Sequence, residues 1–429
     1  MKTKQNGTWV GAKDLSQDPE FMEHAHKEFN EHLPIVDSFG DNRSLEVGAS
    51  RRDFLKYLGF GLGAATVAAS CEIPLKRAIP YVVKPDTIVP GVANYYASSI
   101  VQGGDYCSVL VKTREGRPIK IEGNDLSGVT KGGTSARSQA YVLSLYDTNR
   151  FRGPQKKNNG RWQPTSWDEI DNAVAGLNSN AQVRIVSNTI LSPTAKKVIG
   201  EFAAKYPNTR LVTYDPVSSA ALLKANEQCF GLKTVPDYHF DKAKTVVGIQ
   251  ADFLGTWISP VEYAKGYIEN RKIRDAHHPE MSRHIQVETY MSLTGSNADN
   301  RVQVSPSQVG AAVKHLYNAV ASRTGGAPVS SGQLTGEISQ ALDKTAEALV
   351  AARGESLVVC GTNNLGEQIL VNGINHLLGN YGTTITFDEH SRLRQGDESD
   401  VSGLLNEMEN GRVDALFVMG ANPVFELPN

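Results

Sequence analysis

Leu357-Val358-Val359-Cys360-Gly361-Thr362-Asn363-Asn364, with the stretch Gly366 to Leu378 behind it, is the join on which the fold turns. Leu357 to Cys360 is apolar without alternation, the pattern of a strand covered on both faces. Glycine and two asparagines break the run. A helical stretch to Leu378 then follows. The same strand-and-helix unit repeats through the second half of the chain. Strand candidates are Val183 to Ser187, Arg210 to Asp215, Thr245 to Ile249, Val302 to Val304, Leu357 to Gly361, Thr383 to Asp388 and Ala415 to Gly420. Helical stretches between them are Pro193 to Lys205, Ser218 to Phe230, Val261 to Asp275, Gln308 to Ser322, Gly336 to Arg353 and Gly366 to Leu378. Apolar strands that each feed a crossover helix indicate parallel sheets with helices on both faces. The pattern predicts an α/β fold over residues 161–429, with doubly wound parallel sheets in two lobes and the strand order left open.

Outward from that region, residues 105–160 change character. Cys107 to Lys112 and Pro118 to Glu122 alternate around Arg114-Glu115-Gly116-Arg117, which reads as a β-hairpin. A Gly/Ser-rich loop runs on to Ser138, and a short helical piece is expected from Gln139 to Tyr146. Upstream, residues 71–104 carry Pro74, Pro80, Pro85 and Pro90 between short apolar pieces. Such spacing suits an extended strap better than a helix.

Residues 1–70 read as a leader and an export signal. Ser50-Arg51-Arg52-Asp53-Phe54-Leu55-Lys56 precedes the uncharged run Tyr57 to Ser70, the arrangement of a twin-arginine signal with Arg51 and Arg52 as its determinant. The run is shorter than the roughly 20 residues that span a bilayer. It ends in Ala68-Ala69-Ser70-Cys71, small residues before a cysteine, as a lipoprotein peptidase requires. Cys71 is therefore the expected lipid anchor, on the outer (periplasmic) face of the cytoplasmic membrane. The segment before the signal is a mixed-charge amphipathic leader with Trp9, Phe21, Phe29 and Leu33 at loose helical spacing.

Composition narrows the chemistry. There are 44 basic and 46 acidic residues, a net charge of -2, so the balance implies no nucleic-acid partner. Four cysteines, Cys71, Cys107, Cys229 and Cys360, lie far apart, and that spacing holds neither an iron–sulfur cluster nor a structural zinc. Cys229 in a helix and Cys360 at the end of an apolar strand read as core thiols. His277-His278 with His284 is the one histidine cluster, and the adjoining proline and arginine make it a surface loop. His239 and Asp241, beside Tyr238, read as a capped loop. Asn and Gly in Gly361-Thr362-Asn363-Asn364 and Gly420-Ala421-Asn422-Pro423 are ordinary turn chemistry, or else loops that could cradle a nucleotide at a strand end.

Several segments together resemble a known family. Gly104 to Asp125 (GDYCSVLVKTREGRPIKIEGND) looks like the opening hairpin of the molybdopterin oxidoreductases. Ser166-Trp167-Asp168-Glu169 resembles the SWDE that follows it, and Gly420-Ala421-Asn422-Pro423 is similar to a later GxNP. More narrowly, Tyr81 to Tyr96, Gln139 to Arg150, Ala251 to Trp257, Ser292 to Arg301 and the long leader resemble one subfamily. It is the large iron–sulfur subunit of alternative complex III, a quinol-oxidising complex of bacterial respiratory chains. The resemblance implies a molybdopterin-oxidoreductase-like fold without its molybdenum site, and integral membrane subunits and a multihaem cytochrome as partners. It also implies iron–sulfur clusters in a cysteine-rich region that would follow this chain. In cofactor-bearing members the hairpin carries a cysteine set for a four-iron, four-sulfur cluster, where Cys107 stands alone here, and a later Cys, selenocysteine or Ser binds molybdenum. With Cys229 and Cys360 read as core thiols, molybdopterin itself is not expected. The expected role is a non-catalytic scaffold in respiratory electron transfer, in the front part of a longer protein. The alternatives are an active molybdopterin-dependent oxidoreductase and, with less support, a periplasmic binding protein.

Overall fold

The computed structural model describes residues 88–102 and 105–427. The leader, Arg51, Arg52, the apolar run, Cys71 and the strap as far as residue 87 lie outside the described residues. Residues 89–272 and 280–429 form one compact unit, and residues 273–279 belong to a second. In the second, His277 and His278 are exposed and the His277 amide donates to Asp275 Oδ1 at 2.9 Å.

The compact unit opens with an antiparallel meander of β1 (Asn94–Gln102), β2 (Asp105–Arg114) and β3 (Arg117–Gly123), in that order. β2 and β3 are the expected hairpin. β1 is a correction to the strap: its aromatic and β-branched residues pair along the whole length of β2, with Ile100 opposite Cys107. Ile100, Cys107, Val109 and Ile121 make a small core under this sheet. A second hairpin, β4 (Gln155–Asn158) and β5 (Arg161–Pro164), turns at Asn159-Gly160 with φ of 49° and 80°. Both residues are left-handed, the condition for which Asn-Gly is favoured in a two-residue turn. The expected boundary at 160/161 therefore falls inside a tight turn.

Helix α1 (Trp167–Ala175) follows, capped by Ser166, whose side chain accepts from the Glu169 amide. Then come β6 (Val183–Ser187), α2 (Pro193–Lys205), β7 (Thr209–Thr213), α3 (Ala220–Phe230), β8 (Val235–Tyr238), β9 (Thr245–Ile249), α4 (Pro260–Glu269), β10 (Arg283–Glu288), β11 (Asn300–Gln303), α5 (Val309–Thr324), α6 (Gly336–Ala351), β12 (Ser356–Cys360), α7 (Leu365–Leu377), β13 (Ile385–Ser391), α8 (Glu398–Glu409) and β14 (Ala415–Met419). Two parallel sheets result, in the orders β11-β10-β9-β12 and β14-β6-β7. The mixed α/β fold with parallel sheets is as expected.

The four-stranded sheet is buried on both faces because its strands are apolar on both. Val247, Ile249, Val358 and Cys360 point toward α5, α6 and α7, where Leu316, Leu342, Leu349 and Ile374 complete the layer. Val246, Leu357 and Val359 point the other way, onto Phe240, Phe253, Tyr263 and Tyr267.

Three expectations fail in instructive ways. The strand over Thr383 to Asp388 belongs to neither parallel sheet; it is β13, which pairs antiparallel with β8. The helix from Val261 stops at Glu269 rather than Asp275, with Asn270 turning its amide back onto backbone carbonyls of 240–243. The helical piece expected from Gln139 to Tyr146 begins earlier, at Ala136, and divides into the short helix Ala136–Ala140 and the helical turn Tyr141–Leu145.

Candidate functional site

Each parallel sheet has a switch point, the place where successive connections leave in opposite directions. In the larger sheet it lies between β9 and β12, since the chain runs from β9 out through β10 and β11 before returning to β9's other side. In the smaller it lies between β6 and β14. Ligands of open α/β sheets bind outside the carboxyl ends of the strands at such points. The loops Gly361 to Asn364 and Gly420 to Pro423 stand at those two positions.

The first loop is tightly tied. Gly361 donates its amide to Ile249 O at 2.8 Å, and a Cβ built on it would lie 2.2 Å from Gln250 O, so no side chain fits. Asn363 Oδ1 accepts from the Ala221 amide at the start of α3, and Asn364 Oδ1 accepts from Glu367 N at the start of α7. Both asparagines thus act as caps. At the carboxyl edge of the smaller sheet Asp215, just after β7, ties three loops together. It accepts from Thr189 N and Oγ1 at 3.1 and 2.6 Å and from Gly396 N at 2.8 Å.

Beside the β6 switch point opens a cavity of about 590 Å³, reached by Ser192 at the entry to α2, Tyr106 of β2, Asp237 of β8, Glu262 of α4 and Glu389 and Arg392 around the end of β13. Its electrostatics are unusual. Burial raises Asp237 above the ordinary carboxylate range, Asp241 and Glu389 add to this, and His239 and Lys131 oppose it. Burial likewise raises Glu262, with the charge of Asp237 adding and Ser259 and Lys131 opposing. His239 Nε2 lies 3.6 Å from Asp237 Oδ2 and 3.0 Å from Thr386 Oγ1. Two carboxyls raised by burial, Asp237 beside an imidazole, hold their protons to higher pH than free carboxyls do and can pass one to a bound acceptor.

Sequence reasoning singled out His239 and Asp241 as a capped loop and passed over Asp237 and Glu262. Residues 240–242 do form a short helical turn, but His239 makes no side-chain cap and turns its ring to Thr386 instead. The available signal was the polar run Asp237-Tyr238-His239, whose partner Glu262 arrives only through the packing of α4. The histidine cluster also dissolves. His284 is no surface residue but a fully buried one in β10, with Nδ1 3.0 Å from Tyr267 Oη and Nε2 3.3 Å from Gln286 Oε1.

The thiols fall in three settings. Cys107 is buried in the meander core and Cys360 at the end of β12, where burial pushes its thiol up to about 11. Cys229 corrects the expectation of a core thiol: it lies exposed in the last turn of α3, at a groove it lines with Tyr317, Leu370 and Tyr381. Among the described residues no group of three His, Cys, Asp or Glu is placed to hold a metal ion. One thiolate at the hairpin does not fit a four-iron cluster, which takes four cysteine ligands.

The two parallel sheets define a doubly wound α/β protein, and its relatives are molybdopterin-oxidoreductase-like. The chain is 23% identical over 441 aligned residues to the menaquinone reductase, molybdopterin-binding-like subunit of Nitratidesulfovibrio vulgaris, covering 88% of this chain and 60% of that one. A 68-residue stretch is 32% identical to a dopamine dehydroxylase of Eggerthella lenta, covering 15% of this chain and 7% of that protein. Among solved structures, acetylene hydratase from Pelobacter acetylenicus aligns with a TM-score of 0.40 at 12% identity, over 65% of this chain and 42% of that one. No family profile matches the chain. The chain spans about 60% of the length of the menaquinone reductase subunit it resembles.

Proposed function

We propose that this chain is a molybdenum-free scaffold part of a membrane quinol:acceptor oxidoreductase of the alternative complex III type. The observation that carries the reading is the lining of the cavity, with desolvated carboxyls at Asp237 and Glu262 and no cysteine. A relative described as molybdopterin-binding-like and as part of a menaquinone reductase supports a respiratory setting. In this reading the protein is exported through Arg51 and Arg52 and tethered by Cys71. It docks integral membrane subunits and a multihaem cytochrome, and the iron–sulfur clusters are carried outside the described residues. The second reading, an active molybdopterin-dependent oxidoreductase, draws support from the two switch points, one per sheet.

Molybdenum, iron and pterin content of the protein isolated from its native membrane decides between them. Near-stoichiometric molybdenum and pterin would overturn the scaffold reading. A well-folded protein with neither would support it.

A further inference from the structure

From residue 141 to residue 153 the chain lies along the surface. Tyr141, Leu143, Leu145, Tyr146 and Phe151 are exposed, Phe151 by 81%, and the helical turn Tyr141–Leu145 buries none of its residues. The segment rests on β3: Tyr146 Oη donates to Pro118 O at 2.5 Å, and Lys120 Nζ donates to Gln139 Oε1 at 3.3 Å. Ile119, next to Pro118 in that strand, is exposed, as are Arg117 and Lys120 on either side of the pair. Single exposed hydrophobics are common, but a contiguous group of this kind marks an interaction surface.

Charge says what kind. On and beside this segment Arg117, Lys120, Arg150 and Arg152 stand against Asp147, in a chain whose total charge is -2. The cations alternate with the apolar groups, most plainly in Arg150-Phe151-Arg152, where all three residues are exposed. Protein interfaces deplete lysine but enrich arginine and aromatic residues, so it is the surplus of cations rather than the aromatic groups that favours lipid here. At a membrane surface the two kinds of group belong together, aromatic rings at the headgroup level and cations drawn to anionic lipid.

We propose that this face rests directly on an anionic lipid surface. Phe151, Tyr146, Leu143 and Leu145 enter the boundary between headgroups and acyl chains, and Arg150, Arg152, Arg117 and Lys120 lie at the lipid phosphates. The contact is separate from any tether at Cys71 and does not depend on the scaffold reading.

The test uses the full chain carrying Cys71→Ser, so that no acyl group contributes, in co-sedimentation with vesicles of phosphatidylcholine with or without phosphatidylglycerol. Binding is expected only when phosphatidylglycerol is present, and it should weaken as salt is raised. Each cation at an anionic surface changes partitioning by about five-fold, so Arg150→Ala with Arg152→Ala should weaken binding roughly thirty-fold. Phe151→Ala should weaken it as well, with unfolding midpoints unchanged because all three side chains are exposed. Absence of vesicle binding, equal binding to both vesicle types, or full binding by the double variant would overturn the proposal. So would a parent protein that ignores vesicles while these substitutions release it from the membrane subunits, since the face would then be a protein interface.

Discussion

Arg301 Nε donates to Glu288 Oε1 at 2.6 Å, and the carboxylate it holds is almost wholly buried at the end of β10. Ser292 gives the same carboxylate its hydroxyl at 2.7 Å and its amide at 3.3 Å. This one acid fastens β10, β11 and the turn after β10 together at the carboxyl edge of the larger sheet.

Arg301→Met should therefore cost about 3 kcal/mol in urea unfolding, because it strands a buried charge rather than deleting a contact. The double variant Arg301→Met with Glu288→Met should recover most of that loss. If the two costs simply add, the ion pair is not what holds this corner.

His284 makes the fold sensitive to acid. Burial lowers its imidazole to about 4 from an ordinary value of 6.5. Between those values the unfolded chain takes up a proton that the folded protein refuses, so stability falls as pH drops through the window. Full protonation linkage is worth about 3 kcal/mol by pH 4. Unfolding free energies measured from pH 7 to pH 4 should show the fall, and His284→Gln should flatten the curve by about that amount.

Why His284 was misread shows where the sequence is legible. Strands such as Thr245–Ile249 and Val183–Ser187 are apolar throughout, and their pattern alone places them. In Arg283–Glu288, polar His284, Gln286 and Glu288 alternate with Ile285 and Val287, yet all five are buried. They are tolerated because Tyr267, the Ala251 carbonyl and Arg301 satisfy them. Those partners are distant in the chain, so no local pattern could announce the strand. The two switch-point loops were legible as turns, and their place in the sheets came only with the strand order. Asp237 and Glu262 belong to the same class of information as His284, being close only because α4 packs against β8.

The thiols should separate by accessibility. Under native conditions N-ethylmaleimide should modify Cys229, which is exposed, and spare Cys107 and Cys360. Cys360 is protected twice, by burial and by a thiol raised to about 11 that leaves little thiolate to react. Peptide mapping after brief alkylation checks this, with guanidinium-unfolded protein as the reference in which all three react. Native labelling of Cys360 would mean that the carboxyl edge of β12 opens readily.

The carboxyl pair in the cavity should weaken the fold at neutral pH. Burial raises both Asp237 and Glu262, so each binds its proton more tightly folded than unfolded. For such a group the stabilising contribution is present below the unfolded pKa and is lost as pH rises through the folded value. At pH 7 both carboxyls are then a burden that packing elsewhere must carry. Asp237→Asn and Glu262→Gln remove the ionisation while keeping shape, and each should raise the Tm at pH 7 on the order of 1–2 °C. At pH 4 the same variants should show little or no gain, because the acids they replace are already protonated there. Differential scanning calorimetry at the two pH values measures the contrast. A loss of stability at pH 7 would show that ionised Asp237 and Glu262 are held by favourable partners, and the cavity would then no longer count as a store for protons.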